Sequence, residues 1–462
     1  MLIAVIDDGI DAHRLLEPGK LVEDLIVDDG AEEIRERNGS DAMIAFHGTT
    51  CARIIERYAR DTYFISLCIF EDRSLKTNSG KLIMALEWCL KRKIPLIHMS
   101  VGTRQLADYS KLRRAVARIL QQGQVIVAAQ SNCGSYTMPA CFGGVIGVKA
   151  DKNLKNECIC FCGFDRGIQL AASSLHDLGT KEGGMERTQI ANSYAAPAVT
   201  AAVCRILEAY PVGPVYAPQV FQMLANGKSY SAFKPDFVED AVILNLASAP
   251  LEKDSFFFSY TDITMGFFED CSRKEGMDVR KRCLIVIPSQ NRDDNEKAFR
   301  LIQKNLDLFY GILYCGVIQL QTESGKEIPL LWSESDCGIL KWMQTERKKE
   351  NECPIVHIES QDDTDAKLVC ELQQKFLNEG YGCVTASSQA YSYLYGFEYI
   401  PPDTKSDRMI QYLEEVYQPD LIIIWSDKLQ TPEYADEEDI CHILCKERDV
   451  SELYEAIIAY FS

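Results

Sequence analysis

No stretch of this 462-residue chain approaches the roughly 20 consecutive apolar residues that a membrane-spanning helix needs. The first residues read MLIAVIDDGID: the apolar part is too short for a signal sequence and carboxylates follow at once, so no export signal is expected. Internal repeats and low-complexity tracts are also missing. Hydrophobic residues make up 47% and charged residues 25%, which excludes a disordered, collagen-like or coiled-coil chain. Positive charge is scarce, with 49 Lys+Arg against 68 Asp+Glu and a net charge of −19. The deficit is local. Residues 1–250 hold 28 acidic and 27 basic side chains, and residues 251–462 hold 40 and 22, so the balance falls from −1 to −18. Such a surface repels nucleic acid and anionic membranes, and neither is expected as a partner. A basic peptide is compatible with it. The 18 cysteines, without an export signal, read as reduced and mostly buried thiols of a cytoplasmic protein.

What is present is a strand–helix alternation. Leu2–Ile6, Tyr63–Ile69, Ile94–Met99, Gln124–Ala129 and Gly144–Val148 are short apolar runs. Amphipathic stretches lie between them at Gly48–Tyr58, Ser79–Lys91 and Lys111–Gln122, and Ala195–Tyr210 reads as a long helix stopped by Pro211. This order predicts an α/β fold with a doubly wound, mostly parallel sheet. The segment SAPLEKDS is a candidate boundary. Beyond it, Cys283–Ile287 and Leu313–Leu320 read as strands around a helix at Asp294–Leu306, and Glu346–Glu352 as a linker or exposed helix end. Pro354–Ile358, Tyr381–Ala386 and Leu421–Trp425 then read as strands, with helices at Asp365–Glu379, Ser406–Tyr417 and Glu452–Tyr460. The expected division is 1–250, 255–350 and 351–462, the last two forming an acidic α/β appendage.

Three segments carry chemistry together. IAVIDDGID puts Asp7 at a strand end, FHGTTCARII puts His47 at a helix start, and ANSYAAPAVTAAV puts Ser193 at another helix start. In an open parallel sheet, strand ends and helix starts on one edge converge at the ligand crevice. A serine hydroxyl needs a base to become a nucleophile. His47 is the candidate base and Asp7 the group that orients and stabilises the imidazolium. A helix N-terminus adds a favourable dipole at Ser193. VIVAAQSN ends a strand at Asn132, whose amide is the candidate oxyanion donor. Asp8 and Asp11 read as turn or surface residues. Taken singly, each of these residues has a plain structural reading, a turn cap for Asp7, a packed histidine for His47 and a helix cap for Ser193. The joint order Asp, His, Ser gives the chemical reading its weight.

On these motifs the chain resembles the subtilisin-like serine proteases. V-I-D-D-G-I-D is similar to the aspartate motif, F-H-G-T-T to H-G-T-H, N-S-Y-A-A-P to G-T-S-M-A-x-P, and V-A-A-Q-S-N to A-A-A-G-N. The resemblance spans roughly residues 1–245 and implies a subtilisin-like fold and a serine endopeptidase with Asp7, His47 and Ser193 as the triad. It implies Asn132 in the oxyanion hole and Pro197 as the motif proline. M-S-V-G resembles the pocket strand, implying that Ser100, Val101 and Gly102 pair with substrate, with Ala129, Gln130 and Ser131 beside them. The departures are Ala191, Asn192 and Tyr194 where the family usually has glycine, threonine and methionine, and Ser131 where it has glycine. His98 stands where asparagine is common. With Asp7 so near residue 1 no pro-segment is expected. The loop after His47 is short, so no calcium loop, no metal and no cofactor is assigned.

Other features read as packing. Cys158, Cys160 and Cys162 alternate along one strand face, a spacing that zinc sites do not favour. Cys441 and Cys445 read as one face of a helix. Tyr391, Tyr393, Tyr395, Phe397 and Tyr399 alternate as strand or turn packing. The start of the third unit has the strand–turn–helix layout of a P-loop, and the region loosely resembles a degenerate P-loop domain of peptide maturation systems. Its turn carries Asp362, Asp363 and Asp365, which repel phosphate. The combined expectation is an intracellular endopeptidase acting on a peptide or precursor-peptide substrate, removing the leader of a ribosomally made, modified peptide. A general cytosolic subtilase and a catalytically silent peptide-binding scaffold are the alternatives, and the oligomeric state is not legible.

Overall fold

Fully apolar strands, bounded by glycines and polar turns, set the architecture. The computed structural model describes residues 1–38, 46–70, 76–180, 183–210, 217–247, 251, 253–270, 282–317, 330–343, 353–359, 365–426, 440–444 and 449–462. They divide into two compact units, one of residues 1–104 and 110–230, the other of residues 105–109 and 231–462.

In the first unit nine strands form one sheet: β1 (Leu2–Asp7), β2 (Leu21–Asp28), β3 (Glu33–Glu36), β4 (Tyr63–Cys68), β5 (Leu96–Met99), β6 (Val125–Ala129), β7 (Ile146–Ala150), β8 (Ile159–Asp165) and β9 (Ile168–Ala172). Their order is β3-β2-β4-β1-β5-β6-β7-β9-β8. The seven central strands are parallel, and β3 and β8 close the edges antiparallel. The helices are α1 (His47–Tyr58), α2 (Ser79–Lys91), α3 (Tyr109–Gln121), α4 (Asn192–Ala209) and α5 (Ala217–Leu224). β10 (Asp177–Gly179) and β11 (Met185–Arg187) form a small hairpin. From β1 the chain passes to β2 and the edge strand β3, returns to β4 beside β1, and then crosses to β5 on the other side. The strand order therefore reverses at β1, and Asp7 is its last residue. This is the topological switch point where open α/β sheets bind ligands. The expected strands and helices of this unit are present within a few residues. β2 and β3 were not expected: LVEDLIVD and EIRE mix charge with apolar residues because they lie at the solvent-facing edge.

The second unit holds two five-stranded parallel sheets. One has the order β13-β12-β14-β15-β16 and consists of β12 (Asp240–Asn245), β13 (Ser259–Ile263), β14 (Arg282–Ile287), β15 (Phe309–Tyr314) and β16 (Leu330–Ser333). The other, β19-β18-β20-β17-β21, consists of β17 (Ile355–Glu359), β18 (Cys383–Ser387), β19 (Glu398–Tyr399), β20 (Leu421–Ser426) and β21 (Ile440–Leu444). Cys441 lies in β21 and not on a helix, since ICHIL pairs in parallel with IVHIE of β17. Cys445, Asp362, Asp363 and residues 344–352 lie outside the described residues, as do residues 318–320 of the expected Leu313–Leu320 strand. The alternating aromatics form a 3-10 turn at Ser392–Tyr395 and the short strand β19. Tyr393, Tyr395 and Phe397 are buried, and Tyr395 and Phe397 pack on Trp425.

Candidate active site

Asp7 ends β1 fully buried, 2% exposed, between the ends of β4 and β5. α1 begins opposite it with His47, and the approach is close because residue 48 is glycine. A Cβ at Gly48 would lie 2.6 Å from Gly9 O and 2.9 Å from the Asp7 Cβ. The His47 Nδ1 sits 2.9 Å from both Asp7 carboxylate oxygens. Asp8 turns the other way. Its carboxylate accepts the backbone N–H of His47 (3.1 Å) and of Gly48 (2.6 Å) at the positive end of α1. The turn-or-surface reading of Asp8 is thereby corrected: it is completely buried and fixes the base from behind. Its carboxyl is held above the usual range, first by burial and then by the neighbouring Asp7. Asp11 is a turn residue, accepting from His13 N.

Burial works against a charge on His47. The Cys51 sulfur and the Asp7 carboxylate work for it and prevail, so the imidazole is held above its ordinary value. Cys51 lies one turn along α1, with Sγ 3.9 Å from His47 Nδ1 and 3.6 Å from Ser100 Oγ, and burial pushes its thiol up. Asp7, His47 and Cys51 are the sole group of three potential metal-ligand atoms among the described residues. Nδ1 and both carboxylate oxygens are already engaged with one another there, and Asp7 and Cys51 are closed to solvent.

Ser193 is the second residue of α4, half-buried. Pro197, inside the helix, has no N–H to give the carbonyl four residues back, and that carbonyl belongs to Ser193. Ser100 Oγ (2.9 Å) and Cys51 Sγ (3.6 Å) donate to it instead. The loop after β5 is thus tied to the backbone of Ser193. Ser100 Oγ also lies 3.1 Å from Nε2 of the buried His98, whose Nδ1 is 2.8 Å from Thr200 Oγ1 on α4. Burial lowers His98 to about 4, so it is neutral at pH 7. Among the described residues His47 makes no hydrogen bond to the Ser193 hydroxyl; in unliganded sites this contact commonly tightens only with substrate.

Asn132 follows β6, exposed. Its Oδ1 accepts from Asn192 N at 2.9 Å, which leaves Nδ2 as the free function of the side chain, a donor. Asn192 in turn accepts from Ala150 N (2.8 Å) and donates to Ser131 O (2.9 Å), so it bolts the end of β7 and the Asn132 loop to the start of α4. The departure at residue 192 therefore has a structural job. Val101 and Gly102 make no backbone hydrogen bond among the described residues, while Thr103 pairs with Met138 in an antiparallel bridge. Ala129 and Gln130 are buried, and Ser131 Oγ lies 3.2 Å from Cys133 Sγ and 3.0 Å from Ser135 Oγ.

Two neighbours were given no role from sequence, Tyr194 being noted only as a departure from the family motif. Tyr194 stacks on His47 with ring centroids 5.1 Å apart at 30°. His176 bonds through Nε2 to Tyr194 O at 3.0 Å. Neither sits in a spacing that marks a role; only the fold brings them together.

A profile of the subtilase family matches residues 1–229. Solved structures with similar folds include a cold-adapted subtilisin-like serine proteinase, 18% identical, covering 50% of this chain and 82% of its own, with a TM-score of 0.39. The nisin leader peptidase of Lactococcus lactis is 16% identical, covering 50% of this chain and 84% of its own, with a TM-score of 0.39. The epidermin leader peptide processing serine protease of Staphylococcus aureus is 16% identical, covering 48% of this chain and 68% of its own, with a TM-score of 0.37. No curated protein matches. Residues 1–229, just under half of the chain, carry the match to the subtilase family, and on this match the chain is a serine endopeptidase.

Proposed function

We propose that this endopeptidase is a dedicated processing protease that removes the leader of a ribosomally made, modified peptide. In this reading Ser193 attacks the scissile carbonyl, His47 takes its proton and passes it to the leaving amine, and Asp7 holds the imidazole and its charge. Water, activated by the same base, then frees Ser193. Asn132 Nδ2 donates to the oxyanion. Ser100, Val101 and Gly102 pair with an extended substrate, and Ala129, Gln130 and Ser131 line the first pocket. The observation that carries the chemistry is the double 2.9 Å contact of His47 Nδ1 with Asp7 at the switch point of the sheet.

The finer role rests on charge. The −18 balance of residues 251–462 favours a basic segment as the part of the substrate that is recognised. All sixteen described cysteines are free thiols, which supports a reducing, cytoplasmic setting. No helix among the described residues is long and apolar enough to cross a membrane. Of the expected division into 1–250, 255–350 and 351–462, the two separate sheets of the second unit support the last boundary, while the first compact unit ends at residue 230.

The test is a set of peptides sharing one cleavable core and carrying a basic, neutral or acidic extension. The basic series should be cut fastest, with an advantage that shrinks as salt rises. Equal cleavage of all three, together with digestion of unfolded casein, would identify a general subtilase instead.

A further inference from the structure

His47 is gripped on two sides that the triad does not explain. Asp7 and Asp8 face it from the end of β1, Cys51 faces it from its own helix, and Tyr194 covers it from α4. The Tyr194 ring lies over the imidazole, centroids 5.1 Å apart at 30°. Its place is fixed from below. Tyr194 and Tyr58 both pack against the buried cluster of Ile54, Leu178 and Ala198. The Tyr194 backbone carbonyl can only accept, so the 3.0 Å contact makes His176 Nε2 the donor. His176 Nδ1 is then the acceptor for the Tyr58 hydroxyl at 3.0 Å. Burial keeps His176 below its ordinary value and therefore neutral at pH 7, so this chain of bonds has one direction. Burial also raises the Tyr194 hydroxyl, and the ring stays uncharged.

We propose that Tyr194 is a positioning residue for His47: its ring face, anchored through His176 and Tyr58, holds the imidazole in the orientation that meets Asp7 and stabilises the imidazolium that forms when Ser193 gives up its proton. The proposal rests on the serine-endopeptidase reading of the site. An aromatic face attracts a cation lying over it, because the ring quadrupole is negative there. Neutral imidazole gains less, so the stack favours the charged state that appears during the reaction and not the resting one. A partly exposed contact of this type is worth about threefold to tenfold in rate. Phenylalanine supplies the same face. Methionine fills similar volume without it.

Two measurements on the full-length chain test this. The first is the rate of labelling of Ser193 by a fluorophosphonate probe in Tyr194→Phe, Tyr194→Met and Tyr194→Ala. The second is the pH titration of the His47 ring proton by NMR, with each substitution placed in a Ser193→Ala background, where catalysis plays no part. The phenylalanine variant should label within about twofold of the parent. The methionine and alanine variants should label about threefold to tenfold more slowly, at the bond-forming step and not in probe binding, with a His47 titration midpoint below that of the parent. Methionine and alanine variants that match the parent in both readouts overturn the proposal, and so does slower labelling with an unmoved titration. If the alanine variant does not fold, the methionine variant carries the test. A parent that never labels sinks the endopeptidase reading, while the titration still decides whether the stack acts on His47.

Discussion

His47, the proposed base, is held by several neighbours at once. Asp7 fixes its Nδ1, Asp8 fixes its backbone, and Tyr194 covers its ring. The pH dependence follows from the balance among them. Against burial, Cys51 and the Asp7 carboxylate hold the imidazole above its ordinary value of 6.5. Protonated His47 cannot accept the serine proton, so activity is lost as pH falls through the raised value and is present above it. The acid limb of the labelling rate against pH should have its midpoint above 6.5; a midpoint at or below it would show that burial, which pulls the other way, dominates. At this scale the proposed triad was legible in the sequence because its three residue types sit in ordered motifs, and the structure places Asp7 against His47. Asp8 was not. A second aspartate after the first looks like a turn, and only the arrival of the α1 N-terminus from forty residues away makes it a buried cap.

Among the elements, α1 and α4 do the positioning, each through one residue that breaks a helix rule. Pro197 leaves the Ser193 carbonyl without a helical partner, and Ser100 takes it, which couples the loop after β5 to the nucleophile. Gly48 lets the first turn of α1 touch the end of β1. Gly48→Ala puts a methyl group into two backbone and side-chain contacts under 3 Å. It should destabilise the first unit by about 1–3 kcal/mol and sharply reduce labelling, measured by chemical denaturation and probe kinetics side by side. An unchanged stability would mean that α1 has room to shift. The buried parallel strands were readable because burial on both faces makes them continuously apolar. β2, β3 and β21 were missed or misassigned for the opposite reason, since strands near an edge mix polar residues into the run and lose the signal.

For the whole chain, the partition of charge is the feature that the sequence alone displays and the fold organises. Residues 1–250 are nearly neutral and residues 251–462 carry −18. The break in compactness comes near residue 230, earlier than the proline-containing segment suggests, because β12 pairs with β13 and β14. Composition cannot reveal which sheet a strand joins: VILN is as apolar as any strand of the first unit, and pairing decides its place. Ser193 is the residue on which the proposed cleavage depends. Full-length protein treated with a fluorophosphonate probe and analysed by peptide mass spectrometry should carry one adduct, on Ser193, absent in Ser193→Ala and abolished or nearly so in His47→Ala. A folded protein that takes up no probe, or an adduct on Ser193 that forms as fast without His47, would contradict the central claim that a His47-activated serine at the switch point of the sheet performs the cleavage.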